Sequence, residues 1–197
     1  MMEPDPHGIE GRYQIRSLYF DTLEDRSLRE KLDGVNNREK FRLRLYNGAP
    51  SLVLLEKKLK RDGLCAKLQE TLALKDTAAL CRNRPEEVAG QGSLLLELAS
   101  KMTAQGLTPK TIVEYTREAF LFAPGNVRVT LDYNLHASFR CQDFLAPAPV
   151  AVPIQSAPAI LEVKWDQFLP GLIRDLVQVP RAHTGAFSKY AACRAYG

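Results

Sequence analysis

In the run REKFRLRLY, residues 38–46, a basic residue takes every second position from Arg38 to Arg44, with Phe41, Leu43 and Leu45 between and after the last three. Successive side chains of an extended chain point to opposite faces, so Arg38, Lys40, Arg42 and Arg44 share one face and Phe41, Leu43 and Leu45 the other. Residues 52–60 repeat the arrangement with Glu56, Lys58 and Lys60, and Lys67 takes the matching parity in the next run. Later segments group Tyr115 with Arg117, Arg128 with Thr130 and Asp132, and Glu162 with Lys164. Guanidinium groups offer planar forks to phosphate oxygens, and ammonium groups act as point charges. The few acids among them, Glu56 and Glu162, are hard oxygen donors of the kind that hold Mg²⁺ or Mn²⁺ beside phosphate. A solvated outer face accounts for any one such strand. Repetition argues otherwise, because neighbouring like charges repel and a single-sign stripe calls for counter-charge. A bound polyanion supplies it.

The elements that must position these groups follow from turn and periodicity signals. Residues 13–21 read as a strand, with Asp21 or Thr22 capping a helix that closes near Gly34. Strands at 38–46 and 52–60 are joined by Asn47-Gly48, a strong hairpin signal. Residues 61–63 turn into a third strand, 65–74, completing an antiparallel meander. Helices are expected at 76–82 and 92–104, then strands at 111–122 and 127–135 around Pro124-Gly125-Asn126. Residues 142–158, rich in Pro and Ala, read as a loop or lid. A last strand at 160–165 precedes a helix from Pro170, and Ser188 caps a terminal helix. Seven or eight strands with short helices make an α+β protein on an antiparallel sheet.

At 197 residues, 45% of them hydrophobic, the chain fits one large domain with a sizeable core. A net charge of +4 is too small by itself to establish a polyanion partner, so the placement of the charges carries the argument. Cys65, Cys81, Cys141 and Cys193 show no metal-ligand spacing and read as small buried hydrophobes in a reducing, cytoplasmic setting. No apolar run is long enough for a membrane span. His7, His136 and His183 form no ligand pair. Trp165 reads as packing on the face opposite Glu162 and Lys164. The aromatic residues do not line up with the basic faces as a stacking platform requires, so no nucleic acid is expected.

Seven stretches carry a family resemblance: IRSLYFDT (15–22), KFRLRLY (40–46), LEKKLK (55–60), YTREAF (115–120), RVTLD (128–132), ILEVKWDQFLP (160–170) and FSKY (187–190). In this order they resemble the VTC domain, the polyphosphate polymerase domain of the vacuolar transporter chaperone family and its bacterial relatives. That family belongs to the triphosphate tunnel metalloenzymes, or CYTH-like superfamily. The resemblance runs from about Tyr13 to Tyr196, so residues 1–12 read as an N-terminal tail and 13–197 as one VTC-like domain.

The resemblance implies an antiparallel β-barrel, or tunnel, with flanking helices and basic walls around triphosphate or polyphosphate. It places catalytic contacts on Arg42, Arg44, Lys58, Arg117, Arg128 and Lys164. Ser188 and Lys189 match a Ser-Lys pair that binds phosphate, with Lys40, Lys60 and Lys67 added by strand parity. Glu162 matches the metal-binding glutamate, and Glu56 is a second candidate for Mn²⁺ or Mg²⁺. Family members begin with a further strand bearing Arg, Glu and Lys, a pattern that residues 1–12 do not contain. The expectation is therefore a tunnel lacking its first strand, with an open edge. The implied activity moves the terminal phosphoryl of ATP onto a polyphosphate chain. Triphosphate hydrolysis and metal-independent polyphosphate binding use the same walls and remain alternatives; the later motifs resemble the polymerase branch.

Overall fold

The computed structural model describes the chain apart from Met1, His7, Ile9, Glu10, residues 156–158, Arg181 and Gly197. The reading of His7 therefore lies outside the described residues. The alternating segments become β2 (Arg12–Asp21), β3 (Arg38–Tyr46), β4 (Ala49–Arg61), β5 (Leu64–Leu72), β6 (Thr108–Phe122), β7 (Val127–Ser138) and β9 (Ala159–Lys164). Two short strands, β1 (Glu3–Pro4) and β8 (Val152–Pro153), complete one sheet. Its order is β5-β4-β3-β2-β6-β7-β8, with β1 on β6 and β9 on β7, and every pairing is antiparallel. The sheet is open and curled: among the described residues β5 pairs only with β4, and β9 only with β7. An α+β tunnel-type fold with an open edge is what results.

Turn chemistry sets the register that sorts charge from apolar surface. Asn47 and Gly48 have φ of 52° and 64°, and Asp62 and Gly63 have 50° and 80°. Two consecutive positive φ values match the right-handed twist of a tight hairpin, and Asn, Asp and Gly adopt them at least cost. The register then pairs Arg42 with Glu56, Lys40 with Lys58 and Lys58 with Lys67. A one-residue slip would send the whole set to the other side.

Helices cover the apolar side. Leu18, Phe20, Phe41, Leu43, Leu45 and Leu55 pack against α2 (Leu74–Cys81) and α3 (Ser93–Gln105) through Leu80, Leu94, Leu95 and Leu98. Helix α1 (Arg26–Leu32) has Asp25, not Asp21 or Thr22, at its N-cap, but Asp21 Oδ1 accepts from Ser27 N at 2.8 Å and Thr22 Oγ1 from Arg26 N at 3.2 Å, so both side chains serve its first turn. The segment expected as a loop or lid is in part packed. Phe144, in the 3-10 turn Cys141–Leu145, is fully buried among the helix-side residues, and Val152–Pro153 pairs with β7. Arg16 fastens this stretch by donating to the carbonyls of Phe144 (2.9 Å) and Ala146 (2.6 Å). After α4 (Gly171–Leu176), the terminal helix α5 (Lys189–Arg194) lies on the opposite, basic side. Tyr190 stacks on Tyr19 with centroids 4.9 Å apart and donates to Asp21 at 3.0 Å.

Two sequence expectations about packing fail. Trp165 is half exposed rather than packed, because it lies just past the end of β9, itself an edge strand. Cys65 is exposed on the edge strand β5, while Cys81 and Cys193 are buried as expected.

Candidate phosphate-binding face

Two carboxylates organise the basic side of the sheet. The first, Glu56 on β4, is 2% exposed and draws Arg42 Nε to 2.6 Å, Lys67 Nζ to 2.6 Å and Arg44 Nη1 to 3.7 Å. Burial alone would raise its pKa, but the guanidinium charges of Arg42 and Arg44 and the Lys67 contact bring it down to about 2. Arg42 also donates to the Tyr19 hydroxyl at 3.1 Å, and Arg44 to Ser17 Oγ at 3.3 Å. These anchors hold the two guanidinium forks on β3 in defined orientations.

The second carboxylate is Asp132 on β7, 1% exposed. Arg117 grips it with two hydrogen bonds of 2.6 and 2.7 Å, and Lys189 of α5 reaches it at 2.7 Å. Burial opposes ionisation of Asp132, yet the bonds from Arg117 and the charge of Lys189 hold its pKa below the ordinary carboxylate value. Glu162 lies beside this cluster, 3.9 Å from Arg117 Nη2 and 3.2 Å from Lys164 Nζ, with its side chain 40% exposed. Arg128 donates to Asp5 at 2.8 Å and to the Tyr13 hydroxyl at 2.7 Å, while its Nε is buried without a partner among the described residues.

Tyr115 lies between the two clusters. The Lys189 ammonium is 4.8 Å and the Arg117 guanidinium 5.4 Å from its ring centroid. Burial pushes its pKa up to about 12, against the opposing charges of Arg44 on one side and Arg117 on the other. Arg42, Arg44, Arg117 and Lys189 thus face one surface from two strands and a helix. Preorganised cations of this kind neutralise a multiply charged anion without rearranging.

The residues singled out in the sequence fall as follows. Arg42, Arg44 and Lys67 gather on Glu56, Arg117 and Lys189 on Asp132, and Lys164 on Glu162. Lys40, Lys58 and Lys60 share the basic face but meet no carboxylate among the described residues. Ser188 acts as an N-cap, its Oγ accepting from Ala191 N at 3.3 Å. Glu56 and Glu162 lie on β4 and β9, which β3, β2, β6 and β7 separate in the order of the sheet. No group of three acidic, His or Cys residues among the described residues is arranged to hold a metal.

Sequence reasoning missed Tyr13 and Tyr19 and gave Thr130 and Asp132 too little weight. The parity of β2 was readable, but which strand faces the Arg pairs is a matter of sheet order. Tyr13, Tyr19 and Tyr115 lie on the basic face. They are 5–7% exposed, with cations and Tyr190 over the rings of Tyr19 and Tyr115, and so form no open stacking platform. Thr130 Oγ1 is a buried hydroxyl without a partner among the described residues, and Thr130 pairs in register with Glu162.

The model of the VTC domain family matches residues 1–196. The chain belongs to this family. Among solved structures, a Bacillus halodurans protein named "putative adenylate cyclase" is similar at 12% identity with a TM-score of 0.46, over 68% of this chain. The chain spans 62% of the length of that structure. No curated protein matches the chain significantly in sequence. Among the described residues, no helix of this VTC domain is long and apolar enough to cross a membrane.

Proposed function

We propose that this VTC domain is a cytoplasmic polyphosphate polymerase-like phosphotransferase that moves the terminal phosphoryl of ATP onto a phosphate chain. The observation that carries this reading is that Arg117 and Lys189, over the Tyr115 ring, share one face of the sheet with Arg42 and Arg44, which are held on Glu56. These groups hold the nucleoside triphosphate and spread its charge, leaving positioning as the main catalytic task. An oxygen at the chain end attacks the γ-phosphorus, the bond from that phosphorus to the bridging oxygen breaks, and ADP leaves with the electron pair. The chain grows by one phosphoryl group.

The donor set fits a divalent ion held in part by substrate. Glu162 is the accessible carboxylate and Thr130 Oγ1 the unpartnered hydroxyl next to it in register. One or two carboxylates plus phosphate oxygens and water is the usual shell of Mg²⁺, and Mn²⁺ accepts the same donors. Such an ion supplies charge neutralisation to the transferring group. Glu56 is a poorer ligand, since Arg42, Arg44 and Lys67 already occupy it.

The test is incubation with γ-labelled ATP and Mn²⁺, with products separated by size. Labelled chains that disappear with Glu162→Ala, and fall about 100-fold with Arg42→Ala, are expected. Free labelled phosphate as the sole product would replace the polymerase with a triphosphatase. A non-catalytic polyphosphate-binding module is the second reading, favoured by the internal neutralisation of Glu56 and Asp132. It predicts tight, metal-independent tripolyphosphate binding without turnover.

A further inference from the structure

β5 is a long free edge of the sheet. Among the described residues it pairs only with β4, in an unbroken register from Arg61–Leu64 to Val53–Leu72, with no bulge and no proline along it. Protein edges are ordinarily protected by one of those devices or by an outward charge. The central charge on β5 is Lys67, and it is held back over its own sheet, 2.6 Å from Glu56 Oε1 and 2.9 Å from Gln69 Oε1. Leu64 and Leu68 remain 78% and 48% exposed on the other face of the strand.

The hairpin fixes which backbone groups look outward. A two-residue turn at Asp62-Gly63 closes on Arg61 and Leu64 as a hydrogen-bonded pair, and such pairs alternate along an antiparallel ladder. Leu64, Ala66, Leu68, Glu70 and Leu72 therefore bond to β4, and the N–H and C=O groups of Cys65, Lys67, Gln69 and Thr71 point away from it. Two copies of β5 related by a two-fold axis must oppose residues of the same parity. Centring the pair on Lys67 sets two ammonium groups against each other, which is unfavourable. Centring it on Gln69 sets Leu68 against Glu70 and leaves Leu64 beyond the end of the partner strand at Leu72. Centring it on Leu68 uses all 9 residues of the strand. Leu64 then meets Leu72, Leu68 meets itself, Lys67 meets Gln69 and Cys65 meets Thr71. The outward backbone groups exchange about eight hydrogen bonds, and no like charges are opposed.

The geometry points to a two-fold dimer of this chain, joined edge to edge through β5 in the register centred on Leu68. A self-complementary edge of this kind is closed by one partner. The other free edge, β9, has 6 residues, so a head-to-tail β5–β9 contact would leave part of β5 unpaired. The axis stands normal to the joint, so the Glu56 clusters of the two copies, one strand in from it, lie on the same side. The dimer does not depend on what those clusters bind.

Sedimentation velocity of the whole chain between about 1 and about 100 µM tests it. The joint is small, so a species of twice 22.1 kDa is expected to form with a Kd of about 10 µM. Leu68→Lys opposes two ammonium groups at the centre and should weaken the dimer at least about tenfold, whereas Leu68→Val should keep it. Unchanged thermal midpoints of the dilute proteins would show that folding is intact. In a Cys65→Ser background, Leu68→Cys should link two copies by a disulfide under mild oxidation, because opposed Cα atoms of a non-hydrogen-bonded pair lie about 4.5 Å apart. Gln69→Cys, opposite Lys67, should not. A monomer at every concentration would overturn the proposal, as would a dimer indifferent to Leu68→Lys. Linkage through Gln69→Cys and not Leu68→Cys would overturn the register. Growth beyond the dimer with concentration would replace the two-fold joint with an open β5–β9 chain.

Discussion

Lys57 and Lys58 are neighbours on β4 and face opposite sides of the sheet. Lys57 is buried under α3, 2.9 Å from Glu39 and 2.5 Å from Glu97, and Lys101 closes the network. Lys58 is exposed, faces Lys40 and Lys67 across the strands, and meets no carboxylate among the described residues. Arg16 repeats the first pattern: its guanidinium is consumed by Glu114 at 2.5 Å and by the carbonyls that fasten the 141–147 stretch. On the helix side, charge is balanced and holds elements together. On the basic side, cations exceed their carboxylates. Surplus charge, more than buried charge, marks where a ligand belongs.

The adjacent lysines offer the sharpest way to break that comparison. Lys57→Met should cost about 3 kcal/mol of stability, because it leaves Glu39 and Glu97 facing one ammonium, and should spare tripolyphosphate affinity. Lys58→Met should do the reverse, weakening tripolyphosphate about tenfold with stability changed by less than about 0.5 kcal/mol. Denaturant melts and calorimetry on the two variants check both. A destabilised Lys58→Met, or a binding defect in Lys57→Met, would erase the distinction between the faces.

A smaller effect concerns Tyr19. Burial would raise its pKa, but the charges of Arg42, Lys40 and Arg44, and the Arg42 hydrogen bond, bring it from 10.0 to about 8. A folded-state value below the unfolded one means that this stabilisation is present above pH 10.0 and is lost as pH falls through about 8. Ionised Tyr19 competes with phosphate for Arg42. Tripolyphosphate affinity should thus drop about threefold as pH rises through that value, and Tyr19→Phe should flatten the drop. Loss of protonated Lys40 adds in the same direction, so a drop of equal size in Tyr19→Phe would assign the effect to Lys40. Smallest of all is Ser188→Ala, expected to cost about 1 kcal/mol as a lost helix cap and to change affinity less than twofold. A larger loss of affinity than of stability would turn the cap into a phosphate contact.

Much of the sheet was legible because its turns and alternation are local. The run 38–46 became β3 with the expected limits, and Asn47-Gly48 supplied the hairpin. The packed part of residues 142–158 was not legible, since proline and alanine signal a loop while Phe144 is buried by helices distant in sequence. The basic faces were readable from parity alone. Their internal pairing was not: Arg117 meets Asp132 across 15 residues, and Lys189 meets the same carboxylate from the far end of the chain.

The sequence by itself determined which residues share a face, because a strand's side-chain period is two and tight turns fix hairpin register. It also carried the family, through motifs in order. Only the tertiary structure decided which face each strand turns inward, which cations are spent on Glu56 and Asp132, and which are left over. Those outcomes depend on strand order and on where α5 docks. Both are set by burial of apolar surface between elements far apart in the chain, which no local pattern encodes.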